Sequence, residues 1–334
     1  MAYQTGTATS PIDLLQKLVT FLAAQGWNTD LSAADGAGWR AHLDLHGNFV
    51  HFRAAMNEGA GTIFQSMTGA GYGIAMYMST AYNGAVAWNV QPGTPPYQSG
   101  SSVNVVGVGM PLLSGSIQNY YFFCDATGDN VVVVVEKTPG IYVYLGWGNS
   151  LQKFGTWTGG PYFFGTAQGY YTTLSTASNP SPGYVTSSYC PCGHGDWANF
   201  FPSQCAYFRV DVDTFTSKWI GLADQTTAPT GYTGKNAASQ VFDLASVRAE
   251  IPYYGGSAVA TQFQNRQTSA LDSRANLLPL LIWAARDTSG YSPLGSIPNV
   301  FYSNGVGNGF SAASEYTIGP TTYKMFPNFA VVKQ

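Results

Sequence analysis

Hydrophobic and polar residues along most of this chain follow the two-residue period of β-strands. The clearest example is the stretch 119–148, in which three strand-like runs are separated only by turn residues. Its middle run, 131–135, consists of five consecutive valines, which is typical of a strand that is covered on both faces. We therefore predict a three-stranded antiparallel meander over residues 119–148.

The middle strand of this meander needs two covers. If alternation is kept, Val132 and Val134 point away from the side that the other three valines share. We predict that these two valines lie in an interface with a neighbouring subunit. A layer from the same chain is the alternative cover.

One segment has the period of a helix. Ser10 is a good N-cap, Pro11 suits the first helical position, and apolar residues then recur at three- and four-residue spacings until Gly26. This pattern predicts a single amphipathic N-terminal helix over residues 10–26.

The remaining patterns predict further strands. Alternating runs at 39–45 and 49–53 flank a turn at 46–48 and indicate a hairpin, and Asn83-Gly84 offers a tight turn before a strand at 85–88. An apolar run at 277–287 carries Pro279, which disfavours a helix interior and favours a strand.

These elements together predict the fold class. We expect a mainly β protein, with an antiparallel sandwich or barrel-like body, one N-terminal helix and long loops. The chain is interpreted as a single elaborate domain, 1–334. The Pro-rich stretch 91–101 is interpreted as a long loop, and a soft domain boundary there is the alternative.

Composition adds an argument about partners. Charged residues make up 9% of the chain and aromatic residues 15%, whereas roughly 25% charge is usual in globular proteins. Low charge with many aromatic residues is typical of the cores of obligate interfaces, so we expect a homo-oligomer. A net charge of −3 gives no basic surface for nucleic acid, and no apolar run is long enough to span a bilayer.

Three cysteines and a histidine form a cluster that could bind one tetrahedral metal ion: Cys190, Cys192, His194 and Cys205. Cys124 is an alternative ligand. A single residue separates Cys190 from Cys192, which is closer than the spacing of common zinc modules, so a local disulfide or buried free cysteines are favoured over a metal. No other cofactor is predicted.

Three histidines lie in the predicted hairpin, at His42, His46 and His51. The turn between them and the lack of a nearby carboxylate other than Asp44 favour histidines on the polar face of the hairpin over a zinc site. No nucleophile elbow, zincin motif or phosphate-binding loop occurs in the sequence, so we expect a protein that is not an enzyme. A pair of glycosidase carboxylates, which leaves no local signature, is the enzymatic alternative.

Several separated segments resemble virion structural proteins of tailed bacteriophages. These segments are 10–15, 21–27 and 38–43 near the start, 277–280 and 293–300 in the last third, and 323–329 at the end. The resemblance implies that the chain is a component of a virus particle. The residues that carry the resemblance are packing and turn residues, not catalytic ones.

From these observations we expect a non-enzymatic structural component of a tailed bacteriophage virion, located in the tail, neck, collar or baseplate. Its expected partners are further copies of itself in a symmetric ring and other virion proteins, after assembly in the host cytoplasm. The first alternative is a receptor- or glycan-binding fibre or appendage protein, with exposed Tyr and Trp as contacts. A polysaccharide-degrading tail enzyme is the second alternative.

Overall fold

The computed structural model of the chain describes residues 1–58, 71–94, 107–112, 115–168, 206–210, 219–221, 243–250, 277–287, 290–303, 310–327 and 329–334. These residues form three antiparallel sheets and one α-helix. The predicted fold class, mainly β and antiparallel with a single N-terminal helix, is confirmed for the described part of the chain.

The helix, α1 (Pro11–Ala23), begins where the sequence predicts and ends at Ala23, slightly before the predicted end of the 10–26 helix. The Ser10 hydroxyl accepts a hydrogen bond from the backbone N–H of Asp13 at 3.1 Å, and the Asp13 carboxylate accepts bonds from the backbone N–H of Thr9 and from Lys17 Nζ, each at 2.8 Å. The first bond satisfies a backbone donor that the first helical turn leaves free, and the Asp13 carboxylate places a favourable negative charge at the N-terminal end of the helix. Gly26 follows the helix with a φ of 93°, a conformation that favours glycine.

Twenty strands are found among the described residues. In chain order they are β1 (Ala2–Ala8), β2 (Asn28–Asp35), β3 (Gly38–Leu45), β4 (Asn48–Glu58), β5 (Gly71–Ser79), β6 (Val108–Pro111), β7 (Ile117–Cys124), β8 (Asn130–Thr138), β9 (Ile141–Gly148), β10 (Gln152–Lys153), β11 (Gly159–Gly165), β12 (Ala167–Gln168), β13 (Ala206–Val210), β14 (Trp219–Gly221), β15 (Asp243–Glu250), β16 (Leu277–Asp287), β17 (Gly290–Ser303), β18 (Glu315–Ile318), β19 (Thr321–Phe326) and β20 (Phe329–Val332).

Each sheet has its own strand order. The meander sheet has the order β1-β7-β8-β9-β11-β13-β14, and it contains the predicted meander as β7, β8 and β9. The hairpin sheet has the order β12-β6-β5-β4-β3-β2, and the predicted hairpin is β3 and β4. The C-terminal sheet has the order β15-β16-β17-β20-β19-β18, with β10 paired to β17.

Two local predictions are confirmed and one is wrong. The hairpin turns at His46 and Gly47, whose φ values of 52° and 77° are those of a tight two-residue turn. The run 277–287 is a strand whose register is irregular after Pro279. The stretch 85–88 is not a strand, because the segment after β5 folds into successive turns in which Val86 and Val90 donate to the carbonyls of Asn83 and Ala87.

The main core lies between the meander sheet and the hairpin sheet. Trp147 of β9 packs edge-on against Phe52 of β4 and against Trp27, at ring centroid distances of 5.2 and 6.1 Å. The helix fills the space between β1 and β7 of one sheet and β2 to β5 of the other, and Phe21 contacts Phe122 there. Val131, Val133 and Val135 belong to this core, as the alternation of the meander predicts.

The second face of the meander sheet is covered by the last strands of the same chain. Tyr121 and Tyr144 flank Val134 on this face because each pairs with it across a neighbouring strand. The rings of Phe326 and Phe329 meet these two tyrosines edge-on, each at a centroid distance of 5.4 Å. The C-terminal sheet therefore forms the third layer.

This layer corrects the prediction for Val132 and Val134. Their exposed fractions are 4% and 0% in the isolated chain, so a subunit interface is not what covers them. The predicted need for a second cover was right, but the alternative source of that cover, the chain itself, supplies it.

The single-domain interpretation stays a prediction, as does the soft boundary near 91–101, since residues 95–106 lie outside the described part. No helix among the described residues is both long and apolar enough to cross a membrane.

Candidate functional site

The predicted metal ligands Cys190, Cys192, His194 and Cys205 lie outside the described residues, so that site stays a prediction. The alternative ligand, Cys124, is a buried free cysteine. Burial raises the pKa of its thiol to about 12, with Asp125 and Asp129 adding to the effect. Because the thiolate is the form that binds metal, Cys124 is poorly suited to be a ligand. The described residues contain no group of three or more metal-ligating side chains.

The hairpin histidines form the most unusual polar group in the described structure. The two-residue turn places His42 directly opposite His51, and both rings lie on the face of the hairpin sheet that points away from the main core. The sequence predicts that they lie on the polar face of the hairpin. The structure instead leaves both side chains 0% exposed, while His46 in the turn is exposed and contacts Asp129.

These two histidines join Ser79 in a chain of short hydrogen bonds, here called the histidine relay. Nδ1 of His42 lies 2.6 Å from Nδ1 of His51, and Nε2 of His51 lies 2.6 Å from Oγ of Ser79. The Ser79 hydroxyl in turn donates to the carbonyl oxygen of Ala81 at 2.7 Å. The relay thus connects β3, β4 and β5 to the segment that follows β5.

The carbonyl at its end fixes the direction of the relay. A carbonyl oxygen only accepts, so the Ser79 hydroxyl must donate to it and can only accept from Nε2–H of His51. The Nδ1 of a neutral His51 then accepts from Nδ1–H of His42. This leaves Nε2 of His42 as a lone pair, and it has no hydrogen-bond partner among the described residues.

A serine, a histidine and a third orienting group in a row resemble the arrangement of a nucleophilic hydrolase. The direction of the relay argues against that chemistry, because an activated serine donates its proton to the histidine, whereas here Ser79 accepts from His51. Ser79 is also only 1% exposed, which leaves no room for a substrate beside its hydroxyl. The arrangement is therefore suited to holding the chain together.

Burial keeps both relay histidines neutral. It lowers the pKa of His42 to about 4, and the charge of Arg40 acts in the same direction. It lowers the pKa of His51 to about 2, with His42 as the second cause. A neutral imidazole is what the relay requires, since each ring uses one nitrogen as a donor and the other as an acceptor.

The relay could be predicted from the sequence only in part. Pairing across the turn at His46-Gly47 implies that His42 opposes His51, because strand partners in a two-residue hairpin are fixed by the turn. Ser79 lies 28 residues from His51 and has no local signal in the sequence. Ser79 approaches His51 because of the register of β4 against β5, which places His51 opposite Tyr77, two residues before Ser79.

The unpaired sheet edges beside the helix are a candidate surface for assembly. β1 ends the meander sheet and β2 ends the hairpin sheet, and α1 packs against both strands. No strand in the described part of the chain pairs with the outer edge of either. β1 has seven residues without a charge or a proline, and the ammonium of Lys17 covers only the carbonyl of Thr7. Long uncharged edges of this kind are ready to pair with another chain.

A second exposed feature is the loop 154–158, which follows β10. Phe154 is 43% exposed, and Lys153 Nζ lies 5.1 Å from the ring centroid of the half-buried Trp157. Aromatic side chains that keep one face accessible on a loop are common contacts for ligands.

Comparison of the chain with protein-family models and with curated proteins gives no match.

Proposed function

We propose that this chain is a non-enzymatic structural component of a tailed bacteriophage virion, in the tail, neck, collar or baseplate, and that copies of it assemble into a symmetric ring. The observation that carries this proposal is the uncharged, unpaired edge of β1. The other edge strand that α1 contacts, β2, is also unpaired but carries Asp30 and Asp35. Proteins that remain monomeric usually protect such edges with charge, proline or a covering segment.

Two further observations support the proposal. A charged fraction of 9% leaves a large uncharged surface that contact between subunits would cover. The segments that resemble virion structural proteins lie towards both ends of the chain, and the first two, 10–15 and 21–27, include the two ends of α1, which packs against β1 and β2. The direction of the histidine relay is in keeping with a role that is not catalytic.

Size measurements on the purified protein test this proposal. We expect the wild-type protein to form a discrete oligomer by light scattering, and Thr5→Lys, which places a charge on the exposed side of β1, to shift it towards the monomer. Thr156→Lys, on the exposed loop 154–158, is the matched control and leaves the oligomer intact. A wild-type protein that is monomeric at every concentration, and that is absent from purified particles, contradicts the proposal.

The loop 154–158 favours a second candidate, a receptor- or glycan-binding fibre or appendage protein. On this hypothesis the isolated protein binds host surface polysaccharide, and Trp157→Ala reduces the affinity at least tenfold while Thr5→Lys leaves it unchanged. No binding to host surface material by the wild-type protein rejects this candidate.

A further inference from the structure

The loop that covers the histidine relay, residues 80–93, is a closed structural unit. Its two ends meet where the backbone N–H of Thr80 donates to the carbonyl of Pro92 at 3.2 Å. Inside the loop, Oε1 of Gln91 accepts from the backbone N–H of Asn83 at 2.6 Å, and its Nε2 donates to the carbonyls of Asn83 and Ala87. The loop therefore keeps its own shape and can move as one body about its base.

This loop is what buries the histidines. The ring of Tyr82 lies 4.8 Å from that of His42 and 6.5 Å from that of His51, measured between centroids. Trp88 packs at 5.5 Å against Tyr77, which in turn lies against His51. Lifting the loop would expose both imidazoles together with these aromatic rings.

The loop offers nothing that could hold a charged histidine. Residues 80–93 contain no acidic or basic side chain. Of the strands beneath it, β3 contributes Arg40 and Asp44, and β2 and β4 contribute Asp35 and Arg53, which form an ion pair at 2.7 Å. No carboxylate of the described residues lies within ion-pair distance of either relay histidine.

Protonation would also remove a hydrogen bond. The first proton would enter at the lone pair on Nε2 of His42, a buried position without a described partner. A second proton, on Nδ1 of His51, would turn the 2.6 Å contact between the two rings into a contact between two N–H donors. Both protonation steps raise the free energy of the closed state, and neither raises that of an open state in which water reaches the rings.

We propose that the 80–93 loop is an acid-released lid, which stays closed over the neutral His42–His51 pair and opens when these histidines are protonated. Opening presents Tyr77, Tyr82 and Trp88 as a new aromatic surface. This switch goes beyond the structural role proposed above and does not depend on it.

The sign of the effect follows from linkage. In the closed state burial lowers the pKa of His42 to about 4 and that of His51 to about 2, while an open state restores values near 6.5. Protons therefore bind the open state better, and each histidine shifts the equilibrium towards it by up to about tenfold per pH unit below 6.5. Between pH 7 and pH 5.5 the shift amounts to about eightfold for one histidine and at most roughly 70-fold for both, because the two rings stay opposite each other in the sheet and a charge on His42 disfavours protonation of His51.

Native-state hydrogen exchange measured by mass spectrometry tests this inference on the full chain. After correction for the intrinsic exchange rate, we expect the protection of peptides covering 80–93 to fall by more than about eightfold, and by at most about 70-fold, from pH 7 to pH 5.5. Peptides covering β8 exchange through global unfolding, which takes up the same protons, so their protection falls in parallel; release of the lid is recognised because peptides covering 80–93 are less protected than β8 at both pH values. Equal protection of the loop at both pH values overturns the proposal, and so does protection of 80–93 that equals that of β8 at both pH values.

Two variants localise the effect. In His42→Gln the amide can still donate to Nδ1 of His51, so the lid should close at pH 7 but lose only about eightfold of its protection at pH 5.5. His46→Asn changes the exposed turn histidine of the same hairpin, keeps a residue that tolerates positive φ, and should behave as the wild type. A pH dependence that is the same in His42→Gln as in the wild type overturns the assignment to this pair, and if His42→Gln fails to fold the wild-type comparison of 80–93 with β8 still decides.

Discussion

The second face of the meander sheet is closed by aromatic rings, whereas the second face of the hairpin sheet is closed by hydrogen bonds beneath the 80–93 loop. On the first face Phe326 and Phe329 stack at a centroid distance of 5.0 Å and meet tyrosines of β7 and β9. On the second face His42 and His51 meet at 2.6 Å between their Nδ1 atoms and lie beneath Tyr82. The residues at the centre of both faces are buried, but only the hairpin face combines its aromatic cover with a hydrogen-bonded pair of imidazoles.

This difference teaches which kind of change each face can tolerate. Apolar contacts do not depend on pH, so the aromatic face responds to lost volume and to buried charge. A buried chain of hydrogen bonds contributes little net stability, but leaving one of its members unpaired lowers the free energy of unfolding considerably. Substitutions that remove volume or add charge therefore test the aromatic face, and a fall in pH tests the face that carries the histidine relay.

The largest effect is expected from a charge on the aromatic face. Val134→Asp places a carboxylate at a position that is 0% exposed, with Tyr121 and Tyr144 on either side. We expect a loss of more than about 4 kcal/mol in the free energy of unfolding, sufficient to prevent folding of many domains. Expression as insoluble protein, or loss of the folded-state circular dichroism, is the readout.

Val90→Asp is the matched control for this change, since Val90 is 46% exposed on the 80–93 loop. It should alter stability by less than about 0.5 kcal/mol. A folded Val134→Asp protein that only fails to form oligomers would restore the prediction of a subunit interface at this valine.

A smaller loss follows from removing one ring of the aromatic cover. Phe326 is 0% exposed and contacts Tyr121, Phe123 and Tyr142 edge-on, so Phe326→Ala leaves a cavity between the meander sheet and the C-terminal sheet. We expect about 3–5 kcal/mol of destabilisation in urea unfolding, with the same value at pH 7 and pH 5.5. Ile318→Ala, at a position 46% exposed, is the control and should change little.

The sequence predicts that the second face of the meander sheet must be covered, but it does not predict which residues cover it. Five consecutive valines at 131–135 required two covers, but the partner rings come from residues nearly 200 positions later, and no local pattern announces such a contact. Low charge over the whole chain favoured a subunit as the cover. The error arose because composition reports the amount of apolar surface and not which surface meets it.

The local elements of the fold were predictable from the sequence, whereas the polar face that carries the histidine relay was not. Helix α1, the β3–β4 hairpin and the meander were predictable because caps, turn residues and periodicity are local signals. The segment 85–88 was predicted as a strand from its alternation, but turns formed by Asn83 and held by Gln91 prevailed over that weak pattern. The relay depends on Ser79 and on the register of β5, neither of which a single sequence specifies.

An intermediate effect is expected from shortening the relay. Ser79→Ala removes the acceptor that the described residues provide for Nε2–H of His51 and leaves a buried donor unpaired. We expect about 1–3 kcal/mol of destabilisation at pH 7, measured by urea unfolding. Thr317→Ala, which removes an exposed hydroxyl on β18, is the control, and Ser79→Thr, which keeps a hydroxyl, should recover part of the loss. Equal stability of Ser79→Ala and the wild type would mean that the relay contributes nothing.

The smallest change needs no substitution, only acid, and it should affect the polar face alone. Both relay histidines have pKa values below the ordinary 6.5, so the stability they contribute is present above pH 6.5 and is lost as the pH falls towards their folded values. From pH 6.5 to pH 5.5 each histidine should remove about 1 kcal/mol from the free energy of unfolding. The carboxylates with lowered pKa values, Asp13, Asp129 and Glu315, lose their contribution only below about pH 4.5, so this window isolates histidines. In His42→Gln the loss of stability over this pH window should be about half that of the wild type. In Phe326→Ala the loss should equal that of the wild type, because that ring lies on the other face. A wild-type stability that does not change across this window would remove the distinction between the two faces.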